Sequence, residues 1–204
     1  PPMLPVAEAL ALLLAAARPV TGHEVIPTLE ANGRVLALAQ SSQLDVPPMD
    51  NTHMDGYAVR AADCVSGSAR LRVAQRIPAG HVGQPLLAGT AARIFTGALI
   101  PEGADAVVMQ EQCTADGDDV IVAHTPASGE WIRRRGEDIL TGNEILAAGT
   151  RLRGQELGLA ASVGLATLPV VRKIKVAVFF TGDELAMPGE LLKPGAIYNS
   201  NRFT

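Results

Sequence analysis

Residues Met49–Asp63 read M-D-N-T-H-M-D-G-Y-A-V-R-A-A-D, the densest run of polar, small and aromatic residues in a chain dominated by Ala, Val, Leu and Gly. Pro47 and Pro48 stand just before it, biasing the approach toward an extended conformation and denying it backbone donors. Asp50, Asn51, Thr52 and Asp55 then place acceptor or hydroxyl groups around His53 and Met54. Asp55-Gly56 reads as a turn dipeptide, and Tyr57-Ala58-Val59 alternates like the start of a strand. Turning a corner needs fewer specific polar groups than this, so the stretch reads as a site at the head of a β unit.

Toward the C-terminus the periodicity stays short. Leu71–Val73, Ala92–Phe95, Ala106–Met109 and Val120–Ala123 are short apolar, partly β-branched runs divided by Pro78-Ala79-Gly80 and Pro101-Glu102-Gly103. Val107–Ala123 reads as a hairpin around the turn chemistry of Ala115-Asp116-Gly117-Asp118. The block predicts a small all-β unit, a barrel or a sandwich.

On the N-terminal side, Val6, Leu10, Leu13, Leu14 and Ala17 fall at helical spacing between Pro5 and Arg18, a run too short to span a bilayer. No basic segment precedes it, so an interface or core helix is expected rather than a leader. In Thr28–Gln40, Asn32-Gly33 should break a short helix from a strand at Val35–Ala39. Past the β unit, Trp131–Thr150 is polar again. Gln155–Ala166 then predicts a helix with Leu157, Ala160, Ala161 and Gly164 on a close-packing face, ended by Pro169. Val176–Phe180 is a continuous apolar run that suits a strand buried on both faces, followed at once by Thr181-Gly182-Asp183-Glu184-Leu185. A buried strand running into a polar glycine turn is how a doubly wound α/β domain begins, with ligands beyond the strand ends. A domain boundary is therefore expected near Leu168–Arg172. The chain does not begin with Met and stops at N-S-N-R-F-T, so it is expected to be part of a longer gene product, ending after the first βα unit.

Composition narrows the function classes. With aromatics at 3%, the cores must be built from Val, Leu, Ile and Ala, and 20 glycines with 14 prolines suit short strands better than a helical bundle. A net charge of -4 gives no electrostatic reason to expect nucleic acid or an anionic membrane as partner. A mean hydropathy of +0.20 argues against disorder. Cys64 and Cys113 stand far apart and read as free thiols of a cytosolic protein.

Four places hold candidate chemistry, each with a plainer reading beside it. Asp55 is either a turn residue or an acid of the crowded 50–55 site. Arg93–Ala98 is either a strand-ending turn in which Thr96 makes a local bond, or a hydroxyl and free amides offered to an anion. Arg133–Asp138 holds three cations and two carboxylates. It is either a solvated face, or an arginine gripping phosphate beside a carboxylate for a divalent cation. Thr181–Glu184 fits a T-x-x-E capping box as well as a site. Phosphate-loop, dinucleotide, zinc-protease and nucleophile-elbow motifs are absent, and His23, His53, His81 and His124 lack zinc spacing. The residues alone point to an acidic, arginine-assisted site for a phosphorylated or oxyanionic ligand.

Four ordered motifs resemble a known family. They are D-N-T-H-M-D-G-Y-A-V-R (50–60), R-I-F-T-G-A-L-I-P-E-G-A-D-A-V-V-M-Q-E (93–111), R-R-G-E-D-I (134–139) and V-A-V-F-F-T-G-D-E-L-A-M-P-G (176–189), followed by I-Y-N-S-N (197–201). They resemble the molybdopterin molybdotransferases, the MoeA proteins, to which the C-terminal domain of gephyrin is related. The resemblance implies an α/β and β multidomain protein. An elongated helix-containing domain (1–40 with 139–168) would carry an inserted small β-barrel-like domain (41–138), and a doubly wound α/β molybdopterin-binding domain would start at 169–204.

It also implies a reaction, molybdenum cofactor biosynthesis by insertion of molybdate into adenylylated molybdopterin with release of AMP, assisted by Mg2+ or a similar divalent cation. By the same resemblance Asp55 and Glu184 would position metal or molybdate. Asp138 would serve site integrity or metal, and Thr96 would contact an oxyanion. Arg133, Gly97, Gly182 and Asp183 would bind the cofactor. A cytoplasmic homodimer with sites assembled from both chains is implied, with the molybdopterin adenylyltransferase as a further partner and neither nucleic acid nor membrane. Two alternatives stand beside it, a gephyrin-like scaffold and a non-catalytic small-molecule binding module. Retention of Asp55, Thr96, Asp138 and Glu184 argues against the binding module, and the bacterial-looking Ala/Leu/Arg-rich sequence argues against the scaffold.

Overall fold

The computed structural model describes residues 3–204, which divide into two compact units, 23–170 and a second formed by the N-terminal residues through Gly22 with Val171–Thr204. The second unit opens with helix α1 (Val6–Ala16), whose residues are exposed apart from the half-buried Ala9, Leu13 at 70%. The spacing foretold the helix, but a core role does not hold: none of its side chains is buried.

Strands of the larger unit are numbered in chain order: β1 (His23–Pro27), β2 (Gln40–Ser41), β3 (Asn51–Thr52), β4 (Gly56–Val59), β5 (Ala69–Ile77), β6 (Thr90–Ile94), β7 (Ala106–Met109), β8 (Cys113–Asp116), β9 (Asp119–Val122), β10 (Ile132–Arg133) and β11 (Glu144–Leu146). Helix α2 (Gly154–Ser162) and strand β12 (Thr167–Val171) follow. Six strands form one curled sheet in the order β7-β4-β6-β5-β9-β8, antiparallel except for the β5–β6 pair. Successive side chains on a strand face opposite ways, so this sheet buries one core on each side. Val59, Leu71, Val108 and Val120 fill one; Ala58, Ile77, Ile94 and Val107 fill the other. The hairpin is narrower than Val107–Ala123. It comprises β8 and β9 around Gly117-Asp118, with Gly117 at φ +60, because β7 leaves through a 3-10 turn at Gln110–Gln112 to pair with β4 on the far side of the sheet.

A separate core lies outside the sheet. Ala31 and Leu36 from before it meet Leu146, Leu152, Ala160, Leu168 and Val170 from after it. The expected strand at Val35–Ala39 is reduced to isolated bridges, Val35 to Arg151 and Leu36 to Val170, and the short helix before it to a 3-10 turn at Thr28–Glu30. Helix α2 ends earlier than its pattern suggests. Gly164, at φ +80, donates its amide to Ala161 O while Leu165 N donates to Ala160 O, a glycine-dependent stop that leaves Pro169 inside β12.

The apolar run Val176–Phe180 is not a strand. Val176 and Phe179 are 75% and 84% exposed, and a strand buried on both faces needs neighbours to satisfy its backbone, which no segment of the described chain supplies. Regular structure after it is limited to β13 (Leu185–Ala186) paired in parallel with β14 (Ile197–Tyr198), and a 3-10 turn at Ser200–Phe203. No helix among the described residues is long and apolar enough to cross a membrane.

Candidate functional site

Because β4 and β6 run antiparallel with Gly56 opposite Ile94, the chain entering β4 and the chain leaving β6 meet at one end of the sheet. Asp55 and Thr96 occupy those two positions. The Thr96 amide and hydroxyl both donate to Asp55 Oδ1, each at 2.8 Å. These two donors, the amide foremost, hold the Asp55 carboxyl below the usual carboxylate range, and the nearby Arg93 charge adds to them. Oδ1 is thereby committed, while Oδ2 accepts no hydrogen bond among the described residues.

Gly56 is not a turn glycine with positive φ. It is the first residue of β4, and a Cβ there would fall 2.0 Å from the carbonyl oxygen of Val108 on β7. The dipeptide Asp55-Gly56 thus serves a close strand approach that sets the acid at the sheet end.

The free amides expected at 96–98 are not there. Thr96 N–H goes to Asp55, Gly97 N–H to Thr52 O at 2.9 Å, and Ala98 N–H to Phe95 O at 2.8 Å, because the turn after β6 closes onto itself and onto β3. The Thr96 hydroxyl hydrogen, expected at an oxyanion, is likewise directed at Asp55.

Strand β10 pairs with β3, placing Arg133 opposite Asn51, and the loop that follows is a lattice of ion pairs. Arg133 binds Asp138, with its Nε 3.8 Å from Glu137 Oε1. Arg134 Nη1 reaches Asp50 Oδ2 at 2.6 Å, and the Arg135 amide reaches Asp50 Oδ1 at 2.8 Å. Arg135 Nε donates to Asp45 Oδ2 at 2.5 Å, and Thr141 gives both its amide and its hydroxyl to Asp45 Oδ1 at 2.8 Å. The Thr141 donors, then Arg135, pull the Asp45 carboxyl down to about 2. At Asp50, burial pushes upward, but the Arg135 amide and the Arg134 guanidinium more than offset it and the carboxyl is lowered. So Arg133–Asp138 is an exposed face laced with ion pairs and not an open phosphate grip. Every guanidinium in it meets a carboxylate.

These two clusters are joined through β3. Buried Thr52 folds its hydroxyl onto the Met54 backbone, and His53 stands between them, its amide on Trp131 O and its Nε2 4.0 Å from Glu137. Gly182, Asp183 and Glu184 belong to the other unit. There the Glu184 carboxylate lies over Gly182, where a Cβ would come within 2.6 Å of Oε2, and Glu184 O accepts from Ile197 N. No helix follows Thr181, so the capping-box reading fails. The acid that does cap a helix start is Glu156, which accepts the Arg153 amide before α2.

The structure therefore brings Asp55 to Thr96 and Gly97, Arg133 to Asp138, and Glu184 to Gly182. Sequence reasoning missed Asp45 and Asp50 as loop clamps, since no spacing rule links Asp45 to Thr141. It also missed Arg93, whose Nη1 donates to Gly56 O at 2.8 Å and Nη2 to Gln110 Oε1 at 2.6 Å beneath the acid. Its signal was position alone, Arg93 lying near the end of the strand that leads into Thr96. Among the described residues no group of three or more His, Cys, Asp or Glu is placed to hold a metal ion.

Fold and site together define a class: a curled sheet carried between two segments that share a separate core, with an acid clamped by threonine at the sheet end. The profile of the MoeA N-terminal region (domain I and II) matches residues 4–164, and the chain belongs to the MoeA family. It is 41% identical over 187 residues to a molybdopterin molybdenumtransferase of Nostoc sp., covering 88% of this chain and 42% of the relative. It is 42% identical over 200 residues to molybdopterin molybdenumtransferase 2 of Mycobacterium tuberculosis, covering 94% of this chain and 48% of that one. A molybdopterin biosynthesis MoeA protein of Pyrococcus horikoshii superposes with a TM-score of 0.88 at 37% identity, covering 99% of this chain and 55% of that chain. The chain thus spans about half the length of the relatives it matches.

Proposed function

We propose that this chain is the N-terminal part of a molybdopterin molybdenumtransferase, which inserts molybdate into adenylylated molybdopterin with release of AMP. The observation that carries the reading is the Asp55 carboxylate, fixed through one oxygen by Thr96 and open at the other, in a chain matched to this family over residues 4–164. Fixing one oxygen orients the second without reorganisation during reaction, which is how a preorganised charge acts on a transition state. Thr96 is a positioning residue for Asp55. Arg133 plays the same part for Asp138, holding its carboxylate in one orientation. Arg133, Gly97, Gly182 and Asp183 are retained as the cofactor-binding set, with Glu184 as the acid of the second unit.

A magnesium ion fits the open Asp55 oxygen, since this ion is commonly held by one or two carboxylates together with substrate phosphates and water. Asp55 in one unit and Glu184 in the other are each kept as metal-holding candidates, and the ion would supply charge neutralisation at the phosphoanhydride. We further assign 1–40 with 139–168 to an elongated domain around the inserted 41–138 unit, and 169–204 to the start of the molybdopterin-binding domain. The core shared by Ala31, Leu36, Leu152 and Leu168 supports the first of these. The exposed apolar side chains of α1 suit a homodimer interface. A cytoplasmic setting, with the molybdopterin adenylyltransferase as supplier, completes the reading.

The test is molybdate-dependent AMP release from adenylylated molybdopterin by the whole gene product, beside its Asp55→Ala and Glu184→Ala variants. Release that requires molybdate and falls by orders of magnitude in both variants is expected. Release insensitive to the variants would refute the site, and no release from folded protein would refute the activity.

A further inference from the structure

A row of side chains crosses three strands on one face of the curled sheet. Tyr57 on β4 is opposite Arg93 on β6, and Arg93 is opposite Arg76 on β5. Phe95, two residues beyond Arg93, stacks against both guanidinium groups, at 4.4 Å from Arg76 and 4.5 Å from Arg93, and Arg93 also faces the Tyr57 ring at 5.3 Å. Like charges directly across a strand pair repel, and sequences ordinarily place an acid beside them. Here none is bound. Arg93 is anchored by neutral acceptors, Gly56 O, Ile94 O and Gln110 Oε1, and Arg76 makes no hydrogen bond or ion pair among the described residues. Nearby Arg70 and the arginines of the 133–135 loop all meet carboxylates.

The two guanidinium groups line a concavity of about 300 Å³ together with Tyr57, Val73 and the β8–β9 hairpin, whose acids Asp118 and Asp119 both line it, Asp119 being paired with Arg70. The Phe95 face holds the Arg76 fork without consuming its N–H groups, the arrangement that suits bidentate binding of a tetrahedral oxyanion. Arg93, three of whose hydrogen bonds go to Gly56 O, Ile94 O and Gln110 Oε1, adds its charge and its remaining N–H groups. We propose that Arg76 and Arg93 form an oxyanion subsite in this concavity, taking a doubly charged tetrahedral anion, either free or as the phosphate of a nucleotide. Asp118 on the opposite rim opposes the anion and tunes its affinity. The subsite is distinct from the Asp55–Thr96 clamp and goes beyond the transferase reading. Binding is read without turnover, so either can fail alone.

The experiment is calorimetric titration of the purified chain at low ionic strength with sodium molybdate, inorganic phosphate and AMP in turn. Saturable binding of at least one is expected. Arg76→Ala, which removes an exposed side chain with no hydrogen bond, should weaken it by roughly tenfold. Asp118→Asn should tighten it several-fold. AMP binding tighter than either inorganic anion would identify a nucleotide phosphate as occupant. Tighter inorganic binding would identify a free oxyanion. Absence of saturable binding for all three, or equal affinity in Arg76→Ala, overturns the proposal. Should Arg76→Ala not fold, an Asp118→Asn affinity equal to the parent's overturns it as well.

Discussion

On the Asp55 side of β3 a single carboxylate is held by one residue through neutral donors, whereas on the Asp50 side two carboxylates are matched against neighbouring guanidinium groups. Neutral donors leave one oxygen of Asp55 open, with only the nearby Arg93 charge acting on it and no ion pair formed. The ion-pair lattice of the 133–141 loop leaves almost nothing open. Exposed ion pairs stabilise little, roughly 0–1 kcal/mol each, so the lattice is better understood as fixing loop geometry than as a source of stability. One side presents charge and the other side holds the presenting strand in place.

The largest expected effect breaks the first side. Gly56→Ala sets a methyl group against Val108 O, backbone that cannot swing away, and should destabilise the sheet by about 3 kcal/mol or unfold it. A denaturant melt measures this, and a loss under about 1 kcal/mol would mean that β4 and β7 separate without penalty.

Next in size is acid and salt. Asp45 has a carboxyl of about 2 when folded against 3.8 ordinarily, so its contribution is fully present above the ordinary value and is lost as pH falls through the folded one. Protection of the Thr141 amide, taken as its exchange relative to the intrinsic rate at each pH, should therefore fall from pH 4 toward about pH 2. Asp55 is lowered too, so acid alone does not separate the two sides; salt does. At 1 M salt, where screening acts within about 3 Å, the Arg135 amide should exchange faster while the Thr96 amide does not. Equal responses would erase the distinction.

A subtler change sharpens it. Thr96→Val removes the hydroxyl donor and keeps the amide, so the Asp55 carboxyl should move partway up toward the usual range, the amide being the larger contributor. Carboxyl chemical shifts across a pH titration would show it. No movement would mean that the hydroxyl bond contributes nothing.

How much of this was legible in the sequence follows from what holds each part. The strands of the sheet were visible because alternation and glycine-proline breaks are local, and Asp55 and Thr96 stood in two of the motifs. Their meeting was not visible, since it depends on β4–β6 register. The role of Gly56 was misread because a close approach by β7 leaves no mark on the dipeptide itself. Asp45 drew no notice and Asp50 was read only with its neighbours around His53, because their partners lie more than eighty residues away. The Val176–Phe180 run misled for the opposite reason. A strong local pattern was present, but the neighbours that would make it a strand were not.

The smallest effect concerns the link between the two sides. Among the described residues Trp131 is the non-glycine residue with positive φ, +53, and its carbonyl holds the His53 amide between the clusters. The left-handed region disfavours a bulky side chain by roughly 1–2 kcal/mol, and asparagine tolerates it far better. Because the Trp131 side chain is 38% exposed, its burial offsets part of that strain. Trp131→Asn should therefore stabilise by under about 1 kcal/mol, a rise of about 2 °C in Tm. A fall in Tm instead would show that indole packing outweighs the backbone strain, and that the aromatic group itself couples the acid clamp to the ion-pair loop.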